Sequence, residues 1–406
     1  MKIKVFSRYF PPDFVGGGEL STYYVCKELK KMKNHITINT LSKVKSNEFD
    51  IYTLKKPNKI FELHEKSYFE KITKKNILTE SDVNWASDFF GAAILKNVNS
   101  KKVATVRDHW PLCGCNLCLL SDGSFCSKCN LRNIFRCMKI KQSSFLRKPI
   151  RIIRYQVNQK FRSEILSDFD HVVFPSEYLA KLVDSRLHLR DYSIIPNPIP
   201  REYCNKVLKK GIFNRILFVG VVREYKGIKT LIYAMKSISK NDKKIKLTII
   251  GAGDIDKYRN LVKKLGISEQ INFTGKIPFN KIIDFYDKAD ILVVPSLWSE
   301  PFGRTIIEGM ARRCVVIATN RGGPKEIIKH NKTGFLFESG NHKELAKIIL
   351  NLYNEKAKMK TIQKNGCMKV IVSLPRFKKS IHKFDGQHYW EIGKTGYPLN
   401  RITNNI

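Results

Sequence analysis

Acidic residues are scarce in this chain of 406 residues, because 36 Asp and Glu stand against 74 Lys and Arg and leave a formal charge of +38. This excess is far beyond what solubility requires and indicates an anionic partner, with a Lys-rich genomic composition as the alternative explanation. No run of eighteen apolar residues occurs, so the sequence contains no candidate transmembrane helix. The first six residues are too short and too alternating for a signal peptide, and we expect a cytoplasmic protein.

Two other patterns are missing. No internal repeat of fixed period is present, and no Asp-x-Asp motif directly follows a predicted strand in the second half, which leaves no candidate site for a catalytic divalent metal. What is present favours a globular enzyme, since 43% apolar residues suffice for two buried cores. Strands alternate with helices in both halves, and this predicts an α/β protein with two doubly wound, Rossmann-like parallel-sheet domains facing a cleft.

The most informative segment is 293–311, in which seven residues separate Glu300 from Glu308. Ile291–Val294 reads as a buried strand, 295–303 as a loop and Arg304–Arg312 as a helix. Free amides and the dipole at such a helix start attract phosphate oxygens. The candidates for this phosphate contact are the amides of Gly303, Arg304 and Thr305.

The two carboxylates of this segment suit a ligand that is rich in hydroxyl groups. Each ionised carboxylate oxygen accepts several hydrogen bonds, so Glu300 in the loop can bind a sugar. Glu308 lies about a turn and a half further along the helix. For either Glu alone, a solvated helix face would be the simpler interpretation. The complete strand, loop and helix block favours a nucleotide-sugar site.

The segment 299–311 resembles the E-x7-E signature of retaining glycosyltransferases with the GT-B fold, in the large glycosyltransferase family four. The resemblance is close from about 215 to 350 and looser in the N-terminal half. Its other motifs in the second half are the segments 218–227, 247–253, 271–275, 322–326 and 333–337.

This resemblance implies roles for individual residues. Glu308 would bind the nucleotide ribose, and Glu300 the donor sugar. Relatives hold the donor diphosphate with an Arg just after the strand-ending Gly and with a Lys further along the turn. Here the Lys is Lys226, but Val221 occupies the Arg position, so Arg223 is the candidate substitute.

The N-terminal half carries two weaker matches. The loop 8–19 resembles the first βα turn of the family, whose glycines lie over the donor phosphate, and this names Gly17 and Gly18. The segment 106–113 resembles a His-Asp-x-Trp-Pro-Leu-Cys motif in which the His lies near donor and acceptor. In this chain Arg107 precedes Asp108, and His109 follows, so Arg107 or His109 would fill the place of the His. Asp108 would hold the acceptor hydroxyl or orient Arg107.

Six of the ten cysteines fall between 113 and 137. Their spacing contains two C-x-x-C pairs, which are able to place four thiolates around a structural zinc ion. The predicted ligands are Cys115, Cys118, Cys126 and Cys129, with Cys113 and Cys137 as alternatives. An iron–sulfur cluster or unliganded thiols are the other interpretations, and disulfides are expected only in an oxidising compartment.

Basic residues concentrate between Arg132 and Arg162, where ten Lys or Arg and no Asp or Glu occur among apolar and aromatic neighbours. Such a stretch suits the anionic surface of a membrane. Nucleic acid would be attracted by the same field, but acceptors in the family are often lipid-linked, which favours the membrane.

The sequence and the resemblance therefore predict three regions. The first is an acceptor-binding domain over 1–205 with a Cys-rich insertion at about 111–140, and the second is a donor-binding domain over 206–373. The third is a tail over 374–406, which either returns to the first domain or follows another path. By resemblance, the chain is a metal-independent, retaining hexosyltransferase of glycan biosynthesis that uses a nucleotide-sugar and a lipid-linked or polysaccharide acceptor. It would act at the cytoplasmic face of the membrane. A nucleotide-sugar epimerase and a zinc-dependent nucleic-acid binder are the alternatives.

Overall fold

The structure is a computed structural model that describes residues 1–13, 16–54, 69–70, 80–137, 148–205, 213–373, 381–384 and 387–390, with no side chains at 148, 151, 201, 371–373 and the last two ranges. The chain forms two compact units that meet in sequence between Pro198 and Ile199. Residues 199–205, which the sequence analysis assigned to the first domain, therefore belong with the second unit. Apart from a short hairpin, the tail after 374 lies outside the described residues, so its path stays a prediction.

The first unit is built around one seven-stranded parallel sheet with the order β3-β2-β1-β4-β5-β6-β7. Its strands are β1 (Lys2–Ser7), β2 (His35–Thr40), β3 (Asp50–Thr53), β4 (Val83–Ala86), β5 (Lys102–Thr105), β6 (His171–Phe174) and β7 (Tyr192–Ile194). Its helices are α1 (Gly17–Lys31), α2 (Phe89–Leu95), α3 (Leu131–Arg136), α4 (Lys148–Glu164) and α5 (Glu177–Leu187). Separate apolar clusters cover the sheet, one with α2 and α5 and one with α1.

The second unit contains a six-stranded parallel sheet with the order β10-β9-β8-β11-β12-β13. The strands are β8 (Arg215–Val219), β9 (Lys246–Ile250), β10 (Ile271–Gly275), β11 (Ile291–Val294), β12 (Val315–Thr319) and β13 (Phe335–Phe337). The helices are α6 (Ile228–Ser239), α7 (Ile255–Lys264), α8 (Ile282–Lys288), α9 (Arg304–Ala311), α10 (Pro324–Ile327), α11 (His342–Asn354) and α12 (Lys356–Ser373). The hairpin is formed by β14 (Ile381–Phe384) and β15 (Gln387–Trp390).

Both sheets confirm the predicted α/β class with two Rossmann-like parallel-sheet domains. Every residue of β11 is buried, as expected for a central strand that is covered on both faces by helices. In each sheet the strand order reverses once, between β1 and β4 and between β8 and β11. Ligands of such folds bind at the carboxyl ends of the strands at this switch point.

One boundary differs from the sequence expectation. Helix α1 starts at Gly17, inside the segment 8–19 that was predicted to be the loop of the first βα turn. The Glu19 carboxylate accepts a hydrogen bond from the Gly16 amide at 3.1 Å, which closes the first turn earlier. Both predicted glycines therefore belong to the first turn of α1 and not to the preceding loop.

No helix in the described parts of the chain combines the length and the apolar character needed to cross a membrane.

Candidate functional site

The candidate donor site lies where β8 and β11 are neighbours in the second sheet. The loop after β8 contains Lys226, and the loop after β11 contains Glu300. Gly227 holds the two loops close together, because it has φ of 73° and a Cβ there would lie 1.7 Å from the Pro295 carbonyl oxygen. Only glycine fits this turn. The sheet register thus brings side chains that are 74 residues apart to one edge.

Lys226 and Glu300 form a partly buried ion pair between these loops. Lys226 Nζ lies 2.7 Å from Glu300 Oε1, and the Ser296 hydroxyl donates to the same oxygen at 2.5 Å. The Glu300 side chain is only 10% exposed. Burial alone would raise the pKa of Glu300, but Lys226, the Ser296 hydroxyl and the Trp298 indole outweigh burial and lower this pKa. Glu300 is therefore held as a carboxylate beside an ammonium group.

Trp298 packs against this pair from the same loop. Lys226 Nζ lies 4.8 Å from the centre of the indole ring, within the range of a cation–π interaction. The ring of Tyr225 contacts Trp298 edge to face at a centroid distance of 6.0 Å. Since Trp298 is only 9% exposed, it shields one side of the Lys226–Glu300 pair from water.

Helix α9 begins four residues after Glu300, as the sequence predicts. Gly303 precedes it with φ of 95°, a left-handed conformation that favours glycine. The first backbone bond of the turn runs from the Ile306 amide to the Gly303 carbonyl at 3.0 Å. The amides of Gly303, Arg304 and Thr305 come before this bond, in the positions where a helix start binds anions.

Glu308 lies inside the second unit, and each of its carboxylate oxygens has a different partner. Arg304 Nε donates to Oε1 at 2.7 Å, and the Tyr286 hydroxyl donates to Oε2 at 3.0 Å. Burial and the neighbouring Glu308 charge raise the pKa of Tyr286 well above its ordinary value, so this hydroxyl stays a donor. A carboxylate oxygen accepts more than one hydrogen bond, and Glu308 retains acceptor capacity for a ligand.

Arg223, the candidate substitute for the missing family Arg, is already paired. Its guanidinium lies 2.5 Å from Asp254 Oδ1, and the two side chains are 46% and 35% exposed. Asp254 had no predicted role, although Asp254 and Asp256 form an Asp-x-Asp sequence a few residues after β9. Val221 is 48% exposed and follows the strand-ending Gly220. Within the described site Lys226 is thus the cation that directly contacts Glu300.

In the first unit, Arg107 lies at the carboxyl ends of the strands around the β1–β4 switch point. Its guanidinium donates to the Thr22 hydroxyl at 3.1 Å, to the Ser87 carbonyl at 2.6 Å and to the Asn197 side chain at 3.4 Å. A Cβ on Gly18 would lie 3.8 Å from the Arg107 side chain. The structure therefore brings Arg107 together with the first turn of α1, which holds Gly17 and Gly18.

Asp108 and His109 have different surroundings. Asp108 accepts hydrogen bonds from the Trp110 amide at 2.8 Å and from the Asn116 side chain at 3.4 Å, and burial raises its pKa to about 7. His109 is completely buried, with Nε2 3.1 Å from the Tyr178 hydroxyl. His109 thus packs in the core of the first unit, while Asp108 is the group that titrates near neutral pH.

The cysteines converge differently from the predicted pairs. Cys115 Sγ lies 3.4 Å from Cys113 Sγ and 3.5 Å from Cys137 Sγ. Thiol hydrogen bonds from Cys115 and Cys118 lower the pKa of Cys113 well below its ordinary value.

The second C-x-x-C pair of the predicted zinc set has other contacts, and Cys129 packs against the apolar cluster that contains Cys137. The Cys126 thiol donates to the Lys128 carbonyl at 3.4 Å. Burial raises the pKa of Cys126 to about 12 and that of Cys129 to about 11. Among the residues that the structure describes, no group of three or more His, Cys, Asp or Glu side chains could hold a metal ion. The predicted zinc site thus has no support from the structure.

Several residues around these sites were not singled out from the sequence. Ser296 and Trp298 lie in the loop just before Glu300, and a Ser or Trp in a loop has no distinctive signal. Tyr286, Thr22 and Asn197 come from other elements and approach only in the folded chain. Periodicity alone does not identify such partners.

Comparison with known proteins agrees with this geometry. The family glycosyl transferases group 1 matches residues 201–367. An uncharacterized glycosyltransferase of Methanocaldococcus jannaschii is 36% identical over 198 residues, which are 48% of this chain and 53% of that protein. The capsular polysaccharide biosynthesis glycosyltransferase CapM of Staphylococcus aureus is 29% identical over 205 residues, half of each chain. The chain thus spans about half the length of these curated relatives.

A solved structure extends the similarity of fold to both units. The crystal structure of Anabaena HepE in complex with UDP and glucose superposes with a TM-score of 0.68 at 16% identity, over 92% of this chain and 95% of that one. Residues 201–367, which include the Lys226–Glu300 pair and the start of α9, match the glycosyl transferases group 1 family, and the chain has the GT-B fold.

Proposed function

We propose that this chain is a retaining glycosyltransferase that moves a hexose-type sugar from a nucleotide-diphosphate sugar to a lipid-linked or polysaccharide acceptor. The Lys226–Glu300 pair carries the proposal, since it places a cation and a carboxylate at the switch point of the second sheet, four residues before a helix start. A cation and free amides suit a diphosphate, and a carboxylate suits sugar hydroxyls.

In the proposed reaction, the bond between the anomeric carbon and the β-phosphate oxygen breaks, and its electron pair leaves with the nucleoside diphosphate. The acceptor oxygen bonds to the anomeric carbon on the same face, and the acceptor proton passes to the departing phosphate oxygen. Lys226 and the amides of Gly303, Arg304 and Thr305 would stabilise the negative charge that develops on the diphosphate. These groups take the role that a divalent metal has in other transferases, so we propose a metal-independent reaction.

Glu300 would accept hydrogen bonds from the donor sugar, because its lowered pKa keeps it ionised. Glu308 would accept from the ribose, with its orientation set by Arg304 and Tyr286. Arg223 would reach the diphosphate only by giving up its contact with Asp254. We therefore assign it a smaller part than Lys226.

The acceptor side of the proposal rests on the first unit. Arg107, held by three hydrogen bonds beside Gly18, would contribute a fixed positive charge. Asp108, whose pKa is about 7, would hold the acceptor hydroxyl. The capsular polysaccharide role of the Staphylococcus aureus relative supports a polysaccharide-type acceptor. No observation favours the epimerase or the nucleic-acid binder over this function.

A thermal-shift panel with UDP-, GDP- and ADP-sugars tests donor binding, because a bound ligand stabilises the folded state by mass action. We expect one nucleotide class to raise the melting temperature. Glu308→Gln should weaken this shift, and Lys226→Met should abolish it. Lys229→Met is the matched control, since Lys229 is an exposed lysine in the first turn of α6. Unchanged donor binding in both site variants would contradict the assignment.

Turnover tests the reaction itself. With the donor identified, Lys226→Met should lower kcat by about 10²–10³, the usual effect of removing one group that stabilises a developing anion. Lys226→Arg keeps the charge and should recover part of this loss. NMR of the product should show the anomeric configuration of the donor. Conversion or hydrolysis of the nucleotide-sugar that no acceptor stimulates would instead indicate an epimerase or hydrolase.

A further inference from the structure

Exposed apolar side chains are concentrated in one part of the first unit. The structure describes ten large apolar side chains that are exposed, and six of them lie between 125 and 157. The six are Phe125 (40% exposed), Leu131 (51%), Phe135 (60%), Ile150 (55%), Ile153 (53%) and Val157 (46%). Scattered exposed apolar residues are normal, but a cluster of this kind marks an interaction surface.

The geometry of the helices explains the cluster. Ile150, Ile153 and Val157 are spaced by three and four residues, so they lie on one side of α4. Ile152 and Tyr155 of the same helix pack instead against Ile134 and a buried cysteine. Helix α4 therefore turns one apolar side inward and presents a second one to solvent.

Helix α3 continues this surface. Leu131 and Phe135 are four residues apart on α3 and are both exposed, whereas Ile134 between them is buried. The two helices are in contact with each other. We call the exposed side of α3 and α4, formed by Leu131, Phe135, Ile150, Ile153 and Val157, the apolar face.

The sequence segment that carries the apolar face has charged residues of a single sign. From Gly123 to Ser163 the sequence contains eleven Lys or Arg and no Asp or Glu. Lys128, Arg132 and Lys160 are exposed. Arg136 is paired with Asp122 at 2.6 Å and is a weaker candidate for an external partner. An occupant of this surface must therefore combine negative charge with an apolar layer.

We propose that the apolar face docks the chain onto a bilayer surface containing anionic lipids, with α4 lying in the plane of the interface. Anionic headgroups attract the surrounding Lys and Arg, while Ile, Val, Leu and Phe side chains enter the boundary with the acyl chains. Nucleic acid would satisfy the charges and leave the apolar side chains in water. A second copy of this chain would bring the same positive charge to the surface, and an acidic protein would match the apolar stripe only with a complementary apolar patch of its own. The proposal does not depend on the transfer reaction.

Flotation of the full chain with vesicles tests the docking. We expect binding to vesicles made from equal amounts of phosphatidylcholine and phosphatidylglycerol, little binding to phosphatidylcholine alone, and weaker binding as salt is added. The triple variant Ile150→Ser/Ile153→Ser/Val157→Ser should bind the anionic vesicles at least about tenfold more weakly, because each buried apolar group contributes to insertion. Met368→Ser is the apolar control, because Met368 is an exposed apolar residue of the second unit.

A charge-matched pair of variants separates the specific surface from the global charge. Lys128→Gln/Arg132→Gln/Lys160→Gln should lower anionic vesicle binding on the order of a hundredfold. Lys240→Gln/Lys243→Gln/Lys244→Gln removes the same charge from exposed positions of the second unit and should change binding little.

Several outcomes would overturn the proposal: equal losses in the two charge variants, wild-type binding in the triple Ser variant, or self-association or nucleic-acid binding that depends on the same residues in place of vesicle binding. Circular dichroism and the melting temperature, measured on each variant, show that it is folded. Because vesicle binding and donor binding are separate readouts, failure of one leaves the other to be judged independently.

Discussion

At the scale of single residues, the donor site depends on how Trp298 holds two charged neighbours. Its ring lies 4.8 Å from Lys226 Nζ, and its indole contributes to the lowered pKa of Glu300. Trp298 contacts no reacting atom in the proposed reaction, so it is a positioning residue. Its effect should therefore be visible in the ionisation of Glu300 and in the placement of Lys226.

We predict that Trp298→Leu lowers kcat/KM about tenfold, because it removes a cation–π contact worth about 0.5–2 kcal/mol. Trp298→Phe keeps the ring and should retain most of the activity. Since the Trp298 indole N–H contributes to the lowered pKa of Glu300, both variants should move the acidic limb of the pH–rate profile to higher pH. A uniform loss of rate with an unchanged pH profile would indicate a structural role only.

Asp108 gives a second residue-scale prediction, this one for stability. Burial raises its pKa to about 7, so the folded state favours the protonated carboxyl. Between the unfolded pKa of about 3.9 and pH 7, the unfolded chain releases this proton first, and Asp108 therefore destabilises the fold increasingly as pH rises.

The Asp108→Asn variant should be relieved of this penalty. The difference in melting temperature between Asp108→Asn and wild type should be several degrees larger at pH 8 than at pH 5. This follows from about 2–4 °C per kcal/mol for units of this size. Asp256→Asn, at a side chain that is 92% exposed, is the control. A difference in melting temperature that does not vary with pH would contradict the assignment.

At the scale of elements, one arginine ties the start of the second unit to its helices. Arg312 follows α9 and donates two hydrogen bonds to the Asp287 carboxylate at 2.6 and 2.7 Å. Its third nitrogen donates to the carbonyls of Glu202, Tyr203 and Asn205 at 3.0–3.4 Å. Only the planar fork of Arg reaches both sets of acceptors.

We predict that Arg312→Ala lowers the melting temperature of the second unit by about 10 °C, since breaking a buried charge pair costs about 3–5 kcal/mol. Arg312→Lys should recover little, because an ammonium group does not reproduce the fork. Arg259→Ala, on the surface of α7, should have almost no effect. Differential scanning calorimetry measures the melting temperature. If Arg312→Ala melts at the same temperature as wild type, the contacts of Arg312 do not stabilise the second unit.

At the scale of the whole molecule, the two units have separate cores. The apolar cluster of the second unit contains residues from Phe213 to Ile362 and none from the first unit. We therefore predict that a fragment of residues 199–373 folds alone and binds the nucleotide-sugar within about tenfold of the full chain, because Lys226, Glu300 and Glu308 are all inside it. Circular dichroism and titration calorimetry measure both properties. An unfolded fragment, or a folded one that does not bind, would contradict this division.

Much of the second unit could be predicted from local sequence. The strand Ile291–Val294 has the predicted bounds, and α9 starts at the predicted Arg304. Buried strands and amphipathic helices have periods that a short window reveals. The early start of α1 at Gly17 was missed because it depends on a hydrogen bond from Gly16 to Glu19, and glycines are usually a loop signal.

The sequence by itself determined the class of fold, the order of strands and helices, and the residue types of the donor site, because these follow from periodicity and from motifs within a few residues. Only the tertiary structure decided which side chains meet. Lys226 contacts Glu300 although the two residues are 74 positions apart in the sequence. Arg223 forms an ion pair with Asp254, and His109 is buried against Tyr178. The tertiary structure also determined which apolar side chains of α3 and α4 are exposed and form the apolar face. These contacts depend on sheet register and helix packing, which join residues that no local pattern connects.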